Sequence, residues 1–259
     1  MYPLISCICI TKQRPGLLEK AIDCFQNQAY PNKELLIAVE DRDQETLDFL
    51  KQKEQMQGIR AVIIKSEAGL TLGALRNKAI SEASGQWVSQ WDDDDWYHPE
   101  KLSYQYNLLA GTALPATVLG RIIIYDGISG KAYLSCYRHW EGTILYTKET
   151  ALKYPYSNLK RGEDTPVINS LVQNKMLHTD NTVLPLYIYR YHGANTWDYR
   201  HFQGFFPFSR LLPDAIALTV KKLLNEPGVN PEHVRELDQL FYKTYRDVPR
   251  NSQDHSPAL

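Results

Sequence analysis

Four consecutive aspartates, Asp92–Asp95, close an apolar, Trp-containing stretch, GQWVSQW, and lead into WYHPEKL. Adjacent carboxylates repel one another, and they stay ionised together only where water or a cation offsets that repulsion. A solvated acidic turn meets that condition. So does a Mg²⁺ or Mn²⁺ site, because these hard ions take one or two carboxylates and complete their shell with substrate phosphates. A second acidic pair, Glu163-Asp164, stands where TPVINSLVQ begins a helical apolar pattern. Carboxylates there either cap the helix or accept a proton from a bound hydroxyl. His192, in YRYHGANTW, is either a structural histidine or a ligand to metal or phosphate.

These residues need a scaffold, and the spacing of apolar runs supplies one. LISCICI (4–10) and ELLIAV (34–39) predict buried strands, and IRAVIIK (59–65) and QWVSQW (86–91) a third and a fourth strand. Between them lie helical patterns: from Pro15 to about residue 30, from Asp43 to about Gln57, and after a Thr71 cap with Leu72, Leu75, Ala79 and Ile80 inward. Strand–helix alternation predicts right-handed βαβ units and an α/β, Rossmann-like, mostly parallel sheet flanked by helices. Neither GxGxxG nor GxxxxGK[ST] is present, so dinucleotide and P-loop folds are excluded.

Beyond residue 95 the pattern is less regular. A helix is expected over HPEKLSYQYNLLAG, with Asp95 as its cap. ATVLGRIIIYD, KAYLSCY, GTILYT and TVLPLYIYRYH read as strands, and the tail as helices over 213–225 and 231–246. The expected organisation is a domain over 1–204, with a nucleotide-binding half (1–95) and an acceptor half (96–204), then a C-terminal helical extension over 205–259.

The 259 residues are 43% apolar and 23% charged, with 29 basic and 30 acidic side chains giving a net charge of −1. No global basic field argues for nucleic acid. Cys7, Cys9, Cys24 and Cys136 are too scattered for a disulfide framework or a zinc site, and buried thiols are expected. No signal peptide and no run of about 18 apolar residues is evident. The expected compartment is the cytoplasm. HFQGFFPFSRLLP in the tail leaves peripheral contact with the inner membrane face as an alternative to packing on the domain.

Ligands of open α/β sheets bind beyond the carboxyl ends of the strands. Three loops fall there: Thr11-Lys12-Gln13-Arg14, Glu40-Asp41 and Asp92–Asp95. A nucleotide-sugar donor would use them, because it needs a slot for its base, a cation for its diphosphate and a proton acceptor near its sugar. Asp41 either accepts the ring N–H of a pyrimidine or belongs to a helix cap near Asp43. Trp140 and Glu141 are candidates for the acceptor side, Trp140 by stacking on a sugar or by packing in the core.

ISCICITKQRPGLLEKAI, ELLIAVEDRD, GLTLGALRNKAI and QWVSQWDDDDWYHPEKL, in this order and spacing, resemble the family 2 glycosyltransferases of GT-A fold. The resemblance is good to about residue 110 and patchy to about 200. It implies an inverting, metal-dependent transfer from a nucleotide sugar, most readily a UDP-sugar, to a hydroxyl of a saccharide or lipid-linked acceptor. It implies Asp41 on the base, Arg76 near the diphosphate or the acidic turn, Asp92 and Asp94 as the DxD pair on Mn²⁺ or Mg²⁺, and Asp93 near the ribose. It implies Asp164 as general base with Glu163 orienting the acceptor, and His192 on metal or diphosphate. The family's first-loop aromatic and Asn are Lys12 and Gln13 here, which points Lys12 towards phosphate, beside Thr11 and Arg14. Two rival functions remain open from the sequence: a nucleotidyltransferase acting on sugar phosphates, and a non-catalytic nucleotide- or carbohydrate-binding module.

Overall fold

The computed structural model describes residues 2–53 and 56–245. The expected strands and helices of the first half are present: β1 (Ile5–Ile10), α1 (Pro15–Gln26), β2 (Lys33–Glu40), α2 (Gln44–Lys53), β3 (Ile59–Ile64), α3 (Leu72–Glu82) and β4 (Trp87–Gln90). Every residue of β1 is buried, as a strand covered on both faces requires. Pro15 starts α1, where its missing N–H costs nothing. The Thr71 hydroxyl accepts the Ala74 N–H and caps α3.

The second half contributes β5 (Trp96–Tyr97), α4 (Lys101–Leu109), β6 (Ala116–Leu119), β7 (Ile123–Asp126), β8 (Lys131–Leu134), β9 (Leu145–Thr147), α5 (Lys148–Lys153), α6 (Thr165–Gln173), β10 (Leu177–Asp180) and β11 (Tyr187–Tyr191). Next come α7 (Tyr199–Phe205), β12 (Arg210–Leu211), α8 (Asp214–Asn225) and α9 (Pro231–Tyr245). Among the described residues a seven-stranded sheet runs β10-β6-β9-β4-β1-β2-β3, and a second sheet runs β12-β8-β7-β11-β5. In the larger sheet only the pairs made by β9 are antiparallel.

Two expectations are corrected. ATVLGRIIIYD is not one strand: the chain leaves the large sheet after Leu119 and enters the small one at Ile123. Gly120 permits the crossing, since a Cβ there would lie 2.3 Å from the Asp180 carbonyl oxygen and 2.4 Å from the Tyr137 ring. Asp95 does not cap α4, whose N-terminus is Glu100 and carries no side-chain cap.

Ile216, Val220, Leu223 and Leu224 of α8, and Leu237 and Phe241 of α9, enter the same core as β1 and α1. The Lys20 ammonium donates to the Leu224 carbonyl, and the Gly228 N–H donates to Asp23 at 3.2 Å. The extension from residue 205 is therefore packed on the body as far as Tyr245, and residues 246–259 lie outside the described residues. No helix among the described residues is long and apolar enough to cross a membrane.

Candidate active site

The acidic turn is where the chain passes from β4 in the large sheet to β5 in the small one. That places it at the carboxyl edge of the parallel strands, at the floor of a cleft of about 190 Å³. Arg14, Arg76, Asp92–Asp95, Trp140, Glu141, Glu163 and Asp164 all line this cleft.

Each aspartate of the turn has a different environment. Asp92 Oδ1 accepts from the Arg76 guanidinium at 2.7 Å, and its Oδ2 accepts from the Gln90 amide at 2.9 Å. Asp93 is buried against Arg14 at 2.8 Å. Its burial, and then the neighbouring charge of Asp94, push its carboxyl up to about 7. Asp94 Oδ2 lies 3.1 Å from Arg14 Nη1 and 3.2 Å from His192 Nε2. Against the cost of burial, the His192 hydrogen bond and Arg14 hold Asp94 below the usual carboxylate range. Asp95 accepts from the Tyr187 hydroxyl and from the Arg190 backbone N–H, the latter at 3.1 Å. Burial, followed by the charges of Asp94 and Asp92, raises Asp95 well above a free carboxyl.

Arg76 does not pair with an acid of its own helix. It is buried and bridges two distant segments, Asp92 on one side and Glu163 at 2.9 Å on the other. His192 is fixed through its backbone N–H, which donates to Asn195 Oδ1 at 2.9 Å, while Asn195 Nδ2 donates to the Arg190 carbonyl.

Asp164 stands at the N-cap of α6 but its side chain makes no capping hydrogen bond. Burial, then the charges of Glu163 and Glu141, raise its carboxyl to about 7. A carboxylate held free of a cap, in a cleft, with a proton affinity near neutrality is suited to accept a proton from a bound hydroxyl.

The acceptor-side candidates are placed less openly. Trp140 is buried, with the Arg138 guanidinium 4.9 Å above its ring and the Phe205 ring centroid 5.0 Å away. Glu141 pairs with Arg138 at 2.7 Å. Four other predicted site residues lie outside the cleft lining: His192, which reaches Asp94, and Lys12, Asp41 and Thr11. Lys12 is exposed and pairs with Glu40 at 2.9 Å. Asp41 is exposed, and its Oδ1 accepts the Ser66 N–H at 2.9 Å. Thr11 is buried. Asp43, not Asp41, caps α2, accepting from the Thr46 N–H and hydroxyl and the Gln13 N–H.

Several cleft residues escaped the sequence reading. Arg138, Tyr187, Tyr189, Trp197 and His201 line the cleft. Trp197 stacks on His201 at 4.3 Å, and the Arg161 guanidinium lies 5.6 Å from its ring. Gln90, inside the QWVSQW run, was legible only as a strand residue.

Among the described residues no group of three or more His, Cys, Asp or Glu side chains is disposed to hold a metal ion by itself. The donor set nevertheless fits a divalent ion completed by phosphate oxygens. The chemistry of the donors is what fits: a carboxylate, Asp94, and an imidazole, His192, stand side by side, hydrogen-bonded to each other at 3.2 Å.

The model of "Glycosyl transferase family 2" matches residues 6–168. An uncharacterized glycosyltransferase of Methanocaldococcus jannaschii, MJ1057, is 28% identical over 108 residues, 41% of this chain and 37% of that protein. The amylovoran biosynthesis glycosyltransferase AmsB of Erwinia amylovora is 32% identical over 110 residues, 42% of this chain and 36% of that protein. The putative teichuronic acid biosynthesis glycosyltransferase TuaG of Bacillus subtilis is 28% identical over 190 residues, 66% of this chain and 73% of that protein. The chain thus spans little more than a third of the first two relatives' length. Among solved structures, S. aureus TarS 1–349 in complex with UDP shares the fold with a TM-score of 0.60 at 13% identity, over 95% of this chain and 73% of that one. The mannosyltransferase PcManGT of Pyrobaculum calidifontis, in complex with GDP-Man and Mn²⁺, gives 0.58 at 12% identity, over 96% and 71%.

Proposed function

Because the chain belongs to glycosyl transferase family 2, we propose that it transfers a sugar, with inversion, from a nucleoside diphosphate sugar to an acceptor hydroxyl. The observation that carries this is the uncapped Asp164 carboxylate, raised to about 7, in the same cleft as the acidic turn. Asp164 takes the proton of the acceptor hydroxyl as that oxygen attacks the anomeric carbon. The bond from that carbon to the diphosphate breaks on the opposite face, and the nucleoside diphosphate leaves with the electron pair.

Asp94 and His192 would hold a divalent cation, with Asp92 beside them, and such an ion supplies positive charge for the departing diphosphate. Arg14 keeps Asp93 and Asp94 in place, and Arg76 keeps Asp92 and Glu163 in place. UDP is the favoured nucleotide, since TarS is solved with UDP; PcManGT, solved with GDP-Man, keeps GDP in the test panel. The names of AmsB and TuaG favour a role in polysaccharide synthesis.

The test is release of nucleoside diphosphate from a panel of UDP- and GDP-sugars with Mn²⁺, by the wild-type protein and Asp164→Asn. Release by the first and not the second is expected. Pyrophosphate release from a nucleoside triphosphate and a sugar phosphate would overturn the reading. So would tight nucleotide binding without turnover on any donor and acceptor tried.

A further inference from the structure

Taking Asp164 as the proton acceptor, we propose that Asn77 and Gly73 on α3 are the positioning residues that set where Asp164 stands. Residues 155–164 form no helix or strand, so their backbone groups need partners from elsewhere. One face of α3 supplies them. Asn77 Nδ2 donates to the Tyr156 carbonyl at 2.8 Å, and its Oδ1 accepts the Tyr156 N–H at 2.9 Å. Thr71 donates its hydroxyl to Asn158 Oδ1 at 2.5 Å, and the Gly73 N–H donates to the Leu159 carbonyl at 3.2 Å.

Gly73 is a matter of space rather than dihedral freedom. A Cβ there would fall 1.8 Å from the Ser157 carbonyl oxygen and 3.1 Å from Glu163 Cβ. The helix and the loop touch backbone to backbone, and any other residue would part them. The Ser157 N–H donates to the Glu163 carbonyl at 3.1 Å, which carries the docked position from Ser157 to the residue beside Asp164.

Apart from Arg76, which ties Asp92 to Glu163, the acidic turn is held by other bonds. The Tyr156 hydroxyl donates to Gln90 Oε1 at 3.0 Å, and Gln90 donates to Asp92. Asn77 therefore grips the main chain of Tyr156, while the Tyr156 phenol reaches the turn through Gln90. The two ends of one residue serve the two halves of the site, and they can be cut one at a time.

The experiment compares Asn77→Ala with Tyr156→Phe in the full-length protein. For Asn77→Ala, kcat should fall about tenfold or more, with donor KM and Mn²⁺ half-saturation within about twofold, because a displacement of the base penalises chemistry rather than donor binding. Amide hydrogens of 156–164 should exchange faster than in wild type while those of 90–95 do not. For Tyr156→Phe the pattern should reverse: donor KM and Mn²⁺ half-saturation shift, and exchange of 156–164 is unchanged. Gly73→Ala should resemble Asn77→Ala more severely, and if it does not fold, Asn77→Ala still decides. Unchanged kcat in Asn77→Ala, or the same pattern from both variants, would overturn the proposal. If the wild-type protein transfers no sugar, the assignment of function fails. Exchange then decides the docking alone, with unchanged protection of 156–164 in Asn77→Ala counting against it.

Discussion

The acidic turn and the loop before α6 carry the same functional group and hold it in opposite ways. In the turn, every aspartate has a cation or a hydrogen-bond donor against it: Arg76 and Gln90 for Asp92, Arg14 for Asp93, Arg14 and His192 for Asp94, Tyr187 and Arg190 for Asp95. In the loop, Glu163 is tied to Arg76 and Asp164 is left without even a cap. In the turn the donors fix position, and for Asp94 they also outweigh burial, whereas Asp93 and Asp95 stay raised. Asp164, raised to about 7 by burial and neighbouring acids, has no capping donor to hold it and is free to exchange a proton.

The most damaging way to break this contrast is through the residue common to both sides. Arg76→Met leaves Glu163 buried and Asp92 three-quarters buried without their cation, and should cost about 3–5 kcal/mol in denaturant unfolding. Asp164→Asn should lower kcat by about 10²–10⁴ while nucleotide protection against thermal unfolding stays as in wild type. Normal turnover by this variant would remove Asp164 from the chemistry.

The pH profile sharpens the same point. Since the Asp164 carboxyl is raised from 3.8 to about 7, the proton-accepting form is populated above that pH, and kcat/KM should lose activity on going below it. The sign for stability is the reverse. The folded protein binds this proton more tightly than the unfolded chain, so this contribution to stability is lost as pH rises from about 4 to 7. Asp164→Asn should reduce that slope and leave the part due to Asp93, which is raised into the same range. At the small end stands Lys12→Ala. Its pair with Glu40 is solvent-facing, so melting should move by no more than a few tenths of a kcal/mol. A large loss of donor affinity in this variant would instead place Lys12 on the phosphates.

The first half of the fold was legible because parallel strands buried on both faces are written as unbroken apolar runs, such as ISCICI and LLIAV. Of the second sheet, β7, β8 and β11 fall within runs read as strands, but β5, β12 and the pairing were not legible. Its strands are two to five residues long, and β5 pairs with β11 across some ninety positions. The acids were legible as candidates, since their types and loop positions can be read locally. Their partners were not: Arg14 meets Asp94 across 80 positions and Arg76 meets Glu163 across 87. Asp95 was misread for the same reason. A run of four identical letters hides which member points inward, and only the crossing between sheets sorts them.

That sorting has a consequence for ligand selection. Asp95 is spent as a peg, locked to β11 by the Tyr187 hydroxyl and the Arg190 amide. Asp93 is buried beneath Arg14. A ligand entering the cleft therefore meets chiefly Asp92 and Asp94, alternate members of the run, with arginines at their flanks. The tetrad is electrostatically half of what its letters suggest.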